Sequence, residues 1–115
     1  MTIERIKVGP RMSQAVIHGA TIYLAGQVAD DPSADVAGQT RQILAKIDGL
    51  LAEAGSDRSN LLSANVWLSD ISTFDQMNAV WDEWVSPGKP PARACVESRL
   101  ARPEFKVEIM AVAAR

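Results

Sequence analysis

Cysteine and histidine each occur once in this 115-residue chain, as Cys95 and His18. One thiol excludes an internal disulfide and fits a reducing, cytoplasmic compartment. One histidine beside one cysteine offers no zinc-ligand spacing, so no metal is expected. Positive charge is also scarce: twelve Lys and Arg stand against fourteen Asp and Glu, for a net charge of -2. Nucleic acid is therefore not expected as a main partner, because phosphate binding needs concentrated Lys and Arg. Long apolar runs are missing, and no window approaches bilayer length, so no membrane partner is expected. Met1 to Pro10 carries Glu4, Arg5 and Lys7 and has no apolar core of the kind a signal peptide needs. The seven glycines, at 9, 19, 26, 38, 49, 55 and 88, are too scattered to form a phosphate-binding loop.

What remains is ordinary globular composition, 47% hydrophobic and 23% charged, in a length suited to a single domain over residues 1–115. IERIKV alternates as a half-buried strand should, and Gly9-Pro10 ends it. SQAVIHG and TIYLAGQVA read as strands joined by a turn at Gly19-Ala20. Gly26, inside the second, marks a place where something approaches the backbone closely. Asp31-Pro32 suits a helix start, followed by a stripe of Val36, Thr40, Ile43, Leu44, Ile47, Leu50, Leu51 and Ala54, with Gly55 to cap the end. LLSANVWLSD reads as a strand. Ser72 with Asp75 resembles a capping box before a second helix, whose stripe is Phe74, Met77, Val80, Trp81 and Trp84. SPGKPP stops that helix, and PPARACVESRL and KVEIMAVAAR close the chain as strands.

The order is βββαβαββ, or ββαβαβ if the first two strands are counted apart. Each helix has a single apolar stripe, so both should lie on one face of a mixed sheet, an α+β fold. The other sheet face would then carry Trp67, Met110 and Val112, too apolar to stay exposed. A homo-oligomer is expected.

Two ionisable groups stand in the apolar centres of the last strands. Strand alternation points Arg93, Cys95, Glu97 and Arg99 one way. That face is either a solvated salt-bridge ladder or a carboxylate receptor, since a guanidinium offers a planar fork that cannot lose its proton. The pattern leaves both open. Glu108 sits among Val107, Ile109, Met110, Ala111 and Val112. A lone carboxylate there must be paired, with Lys106 or Arg93, or poised for proton transfer. Cys95 has no base nearby in sequence and reads as a small buried thiol rather than a nucleophile. Trp81 and Trp84 read as core and interface anchors. Asn78, one position off their stripe, is either a solvated amide or a hydrogen-bonding group in a pocket.

Taken in order, GPRMSQAVIHG, TIYLAGQVA, AEAG, VWLSD, STFDQMNAVWDEW, PPARACVESRL and KVEIMAVAA resemble the reactive intermediate (imine/enamine) deaminase family, RidA/YjgF-like. The resemblance spans nearly the whole chain and is sharpest at Pro91 to Val96 and Lys106 to Ile109. It implies a chorismate-mutase-like α+β fold assembled as a homotrimer, with three clefts between subunits. It implies that Arg93 grips a substrate carboxylate and Glu108 handles water and protons. Main-chain groups near Cys95, together with Asn78 and Gly26, would contact a small imino or oxo acid, with no cofactor. Two departures mark a divergent branch: Gly9 to Ser13 lacks the tyrosine many members place after the early Gly-Pro, and Met110 stands where a second glutamate often follows. The implied activity is hydrolysis of 2-imino acids and 2-aminoacrylate-type enamines to 2-oxo acids and ammonia. Carboxylate binding without catalysis and RNA cleavage are the alternatives.

Overall fold

The computed structural model describes all 115 residues. The chain runs β1 (Ile3–Val8), β2 (Ser13–His18), β3 (Thr21–Leu24), α1 (Val36–Glu53), β4 (Leu61–Leu68), α2 (Phe74–Trp84), β5 (Ala92–Glu97) and β6 (Val107–Ala114). Short 3-10 turns at Arg58–Asn60 and Ile71–Thr73 precede β4 and α2. This is the βββαβαββ order read from the sequence.

All six strands share one sheet, in the spatial order β1-β2-β3-β6-β4-β5. Every neighbouring pair is antiparallel except β4 and β5. Because β3 and β4 both run antiparallel to β6, they are parallel to each other. The segments β3-α1-β4 and β4-α2-β5 are thus two successive crossovers between parallel strands, stepping the same way across the sheet. Crossovers of one hand stepping one way put both helices on the same face, which is why a mixed sheet has helices on one side only.

The strands show that side plainly. Along β6, Val107, Ile109, Ala111 and Ala113 are buried, while Glu108, Met110, Val112 and Ala114 are half-buried on the opposite face. Ala64, Val66 and Leu68 of β4 pair with Ala111, Ile109 and Val107. They pack under Ile43, Leu44, Ile47 and Leu51 of α1 and Met77, Val80 and Trp81 of α2. Each large aliphatic side chain so buried contributes roughly 1.5–3 kcal/mol. The open face carries Trp67, Met110 and Val112 as expected, joined by Tyr23 and Val96, each about half exposed.

The helix starts differ from the sequence reading. Asp31 does not cap α1; its Oδ1 closes a tight turn by accepting from the Ser33 amide and hydroxyl at 3.1 and 2.6 Å. Asp35 takes the cap, accepting from the Gly38 amide at 2.8 Å, and brings Val36 and Thr40 into phase with the core. At the far end Gly55, with φ +82°, terminates the helix as expected. Before α2 the capping group is Asp70, bonded to the Ser72 amide and hydroxyl at 2.9 and 2.7 Å. The Ser72 hydroxyl is thereby committed as a donor, and Thr73 at the helix start makes no side-chain cap. Beyond Leu24 the chain leaves the sheet, touching it again through one bridge between Gln27 and Ile109. β5 stops at Glu97, so Arg99 belongs to a loop. No helix is long and apolar enough to cross a membrane.

Candidate functional site

β5 is an edge strand, and its register fixes where Arg93 points. Arg93, Cys95 and Glu97 lie opposite Ala64, Val66 and Leu68, so they share the helix side of the sheet. There the Arg93 guanidinium lies 5.0 Å from the centre of the Trp81 ring and 5.9 Å from that of Phe74. Its Nη1 is 3.9 Å from Met77 Sδ. The four ion pairs of the chain use other residues, so no carboxylate neutralises this cation. Such a group is held by aromatic faces while its hydrogen-bonding fork makes only one weak donation, from Nη1 to Met77 Sδ. The salt-bridge ladder considered from the sequence is not formed at Arg93.

Phe74, Asn78 and Trp81 stand at i, i+4 and i+7, a single stripe along α2. Asn78 therefore lies between the two rings that carry Arg93. Its Oδ1 is buried and has no hydrogen-bond partner, the one side-chain atom of the chain in that condition. An unsatisfied buried carbonyl costs about 1–3 kcal/mol, which a donor supplied by a ligand would recover. Cys95 packs against the core from the edge. Burial pushes its thiol up from the ordinary value, and the charge of Arg93 acts in the opposite direction. A protonated thiol fits the reading of Cys95 as a packing group. His18 is in β2, four strands from β5, or ~19 Å across the sheet.

Glu108 is on the other face. It pairs with Trp67 in β4 and emerges among the apolar residues of the open side. Its carboxylate makes neither a hydrogen bond nor an ion pair, and the alternative of a Lys106 partner is not realised. Lys106 instead donates to the Ala34 carbonyl at 3.2 Å. The carboxylate rests against Gly26: a Cβ there would overlap Glu108 Oε2 and stand 3.1 Å from Cδ. The close approach expected at Gly26 is therefore made by Glu108.

The predicted residues thus fall into two groups within one chain. Arg93, Asn78 and Cys95 line the helix side at the β5 edge; Gly26 and Glu108 lie on the open face. β4 separates β5 from β6, an offset of ~10 Å in addition to the change of face. Phe74 was read only as part of a helix stripe and Trp81 also as a core or interface anchor, yet together they form the bed of Arg93. The signal available in sequence was Asn78 sitting in phase with both. The largest surface cavity, about 750 Å³, is lined by the loop from Glu97 to Phe105 with Ser69. It contains none of the predicted residues. No group of three or more His, Cys, Asp or Glu is arranged to hold a metal ion.

Residues 2–115 match the family described as Endoribonuclease L-PSP. The chain belongs to this family, the YjgF/RidA family. A RutC family protein of Haemophilus ducreyi is 46% identical over 112 residues, covering 97% of this chain and 96% of the relative. The RutC family protein YoaB of Escherichia coli is 44% identical over 114 residues, covering 99% of each chain. Among solved structures, a Neisseria meningitidis member of the YjgF protein family superposes with a TM-score of 0.98 at 46% identity. That match covers 100% of this chain and 96% of the other. A Pseudomonas aeruginosa structure gives 0.97 at 46% identity over 99% of both chains. The YjgF/RidA fold, with both helices on one face of the sheet, is the fold described above.

Proposed function

We propose that this YjgF/RidA chain hydrolyses short 2-imino acids, in exchange with their enamine tautomers, to 2-oxo acids and ammonia. The observation that carries the reading is the unpaired Arg93 guanidinium laid over Trp81 and Phe74 beside the orphaned Asn78 Oδ1. A ligand suited to that corner presents a carboxylate to Arg93 and an N–H to Asn78, as a 2-imino acid does. Main-chain groups near Cys95 complete the carboxylate grip. On this reading Glu108 takes a proton from water as it adds to the C=N carbon. It then returns the proton to nitrogen to give the carbinolamine, and relays the hydroxyl proton to the amine as the C–N bond breaks, leaving C=O and ammonia. Positioning plus one acid/base group suffices for so reactive a substrate. No cofactor or metal enters the scheme.

A three- or four-carbon acid cannot reach Arg93 and Glu108 of the same chain, since they face opposite ways across the sheet. The site is therefore composite: Arg93 and Asn78 of one copy meet Gly26 and Glu108 of another, in clefts of a homotrimer. The apolar open face supports that association. The family description names a nuclease, but a net charge of -2 does not favour RNA as a substrate.

With an imine generated in situ, Arg93→Ala should lower turnover by at least about 100-fold with little change in melting temperature. Glu108→Gln should lower kcat by roughly 100-fold or more and leave 2-oxo acid binding largely intact. Undiminished turnover in Arg93→Ala would sink the assignment. Saturable 2-oxo acid binding by a wild-type protein that does not accelerate imine decay would establish the non-catalytic binder instead.

A further inference from the structure

Glu108 has no hydrogen bond of its own to hold it, so its place depends on the backbone that carries it. That backbone is paired with β4 from Val107 onward, Glu108 lying opposite Trp67, and it enters this ladder from the irregular segment 98–106, which has none of its own. A one-residue slip would turn Glu108 into the core and Val107 out of it. The segment is secured by a side chain from the helix layer. Gln39 of α1 is fully buried. Its Oε1 accepts from the Lys106 amide at 2.9 Å. Its Nε2 is shared among the carbonyls of Glu104 at 3.1 Å, Ala34 at 3.1 Å and Pro32 at 3.0 Å.

One amide thus joins the start of α1, the turn before it and the last residues before β6. From Lys106 the chain has only Val107 to pass before Glu108, and Ile109 is then fixed by reciprocal bonds with Gln27 at 2.8 and 3.1 Å. Glu108 is held between these two anchors. The Ser69 amide bonds the Lys106 carbonyl at 3.1 Å, and Lys106 Nζ reaches Ala34. Neither replaces the Gln39 bond to the Lys106 amide. A buried glutamine using both ends of its amide on main chain is a clamp whose geometry an apolar residue cannot reproduce.

We infer that Gln39 is a positioning residue for Glu108, pinning the end of the β4–β6 ladder from which that carboxylate enters the composite site. The inference rests on the proposed imine hydrolysis for its consequence in rate, but not for its structural content. In Gln39→Met, kcat should fall about 10- to 100-fold, while the dissociation constant for a 2-oxo acid stays within about twofold. The Gln39 side chain bonds none of the residues of the carboxylate grip, which should not feel the change. By hydrogen exchange, the Lys106 and Ile109 amides should open about tenfold faster or more, with β4 unchanged.

A folded Gln39→Met with wild-type kcat overturns the inference, as does one in which kcat and binding fall together. If Gln39→Met does not fold, Gln39→Asn, which keeps the amide but draws it back toward the helix, is read by the same criteria. If the wild-type chain turns over no imine, the proposed function falls, and the clamp is judged by exchange alone. Unaltered exchange at Lys106 and Ile109 then refutes it.

Discussion

At Gly26 the main chain runs so close to the Glu108 carboxylate that a methyl group would displace it. The atom displaced is the far end of a flexible side chain, so the fold should tolerate Gly26→Ala while the proposed acid/base group swings away. Turnover should drop by about tenfold or more with a stability change under about 1 kcal/mol, read from urea denaturation beside steady-state rates. A variant that keeps full activity would show that the contact is incidental. The residue types of the candidate site were legible in the sequence, since Arg93 and Glu108 interrupt otherwise apolar strands. Their partners were not. An arginine in an alternating strand looks the same whether it meets a glutamate or an aromatic ring. Only α2, arriving from elsewhere in the chain, laid Phe74 and Trp81 beneath it.

Helices and strands announced themselves through period, 3.6 for the stripes of α1 and α2 and 2 for β1, β5 and β6. Their starts were harder to place, because several Asp and Ser residues compete to organise the same turns. Asp31, Asp57 and Asp70 each accept the amide and hydroxyl of the serine two residues on, closing turns before α1, β4 and α2. These bonds to the serine side chain first, then its amide, hold all three carboxyls below the usual carboxylate range. A depressed folded-state value stabilises above the unfolded value near 3.8 and is lost as pH falls through the folded one. Unfolding midpoints should therefore be insensitive to these groups above about pH 4 and decline below it, with the aspartate-to-asparagine triple variant showing a weaker acid dependence. In α1, Asp35→Ala should cost about 1 kcal/mol by removing the cap on Gly38. Gly49→Ala should add about 0.5–1 kcal/mol, since Gly49 is exposed mid-helix and a Cβ would meet nothing within 4 Å. Two-state urea curves on both variants check the opposite signs.

For the molecule as a whole, the decisive feature is that the candidate site residues are divided between two faces. If Arg93 of one copy works with Glu108 of another, Arg93→Ala and Glu108→Gln chains damage different halves of each cleft. Neither variant alone should turn over imine at an appreciable rate. Refolded together in equal amounts, they should recover about a quarter of wild-type activity, the fraction of clefts assembled from two intact halves. No recovery from a mixture proven to exchange subunits would place the whole site within one chain. The open face makes a related prediction for assembly. Trp67→Lys should reduce the proposed homotrimer to smaller species in sedimentation velocity while leaving the circular dichroism of the subunit intact, because Trp67 points away from the helix layer.

The sequence by itself determined the elements, their order and the side of the sheet on which both helices pack. It did so because periodicity and the handedness of crossovers act on short stretches of chain. It also carried enough of the YjgF/RidA pattern to single out Arg93, Glu108, Asn78, Cys95 and Gly26. Alternation with Met110 and Val112 also put Glu108 on the open side, whereas only the tertiary structure decided that Arg93 faces the helices. Facing is set by strand register against β4, a long-range relation that no local pattern states. The same holds for Gln39, an ordinary helix glutamine until a loop 65 residues away closes over it.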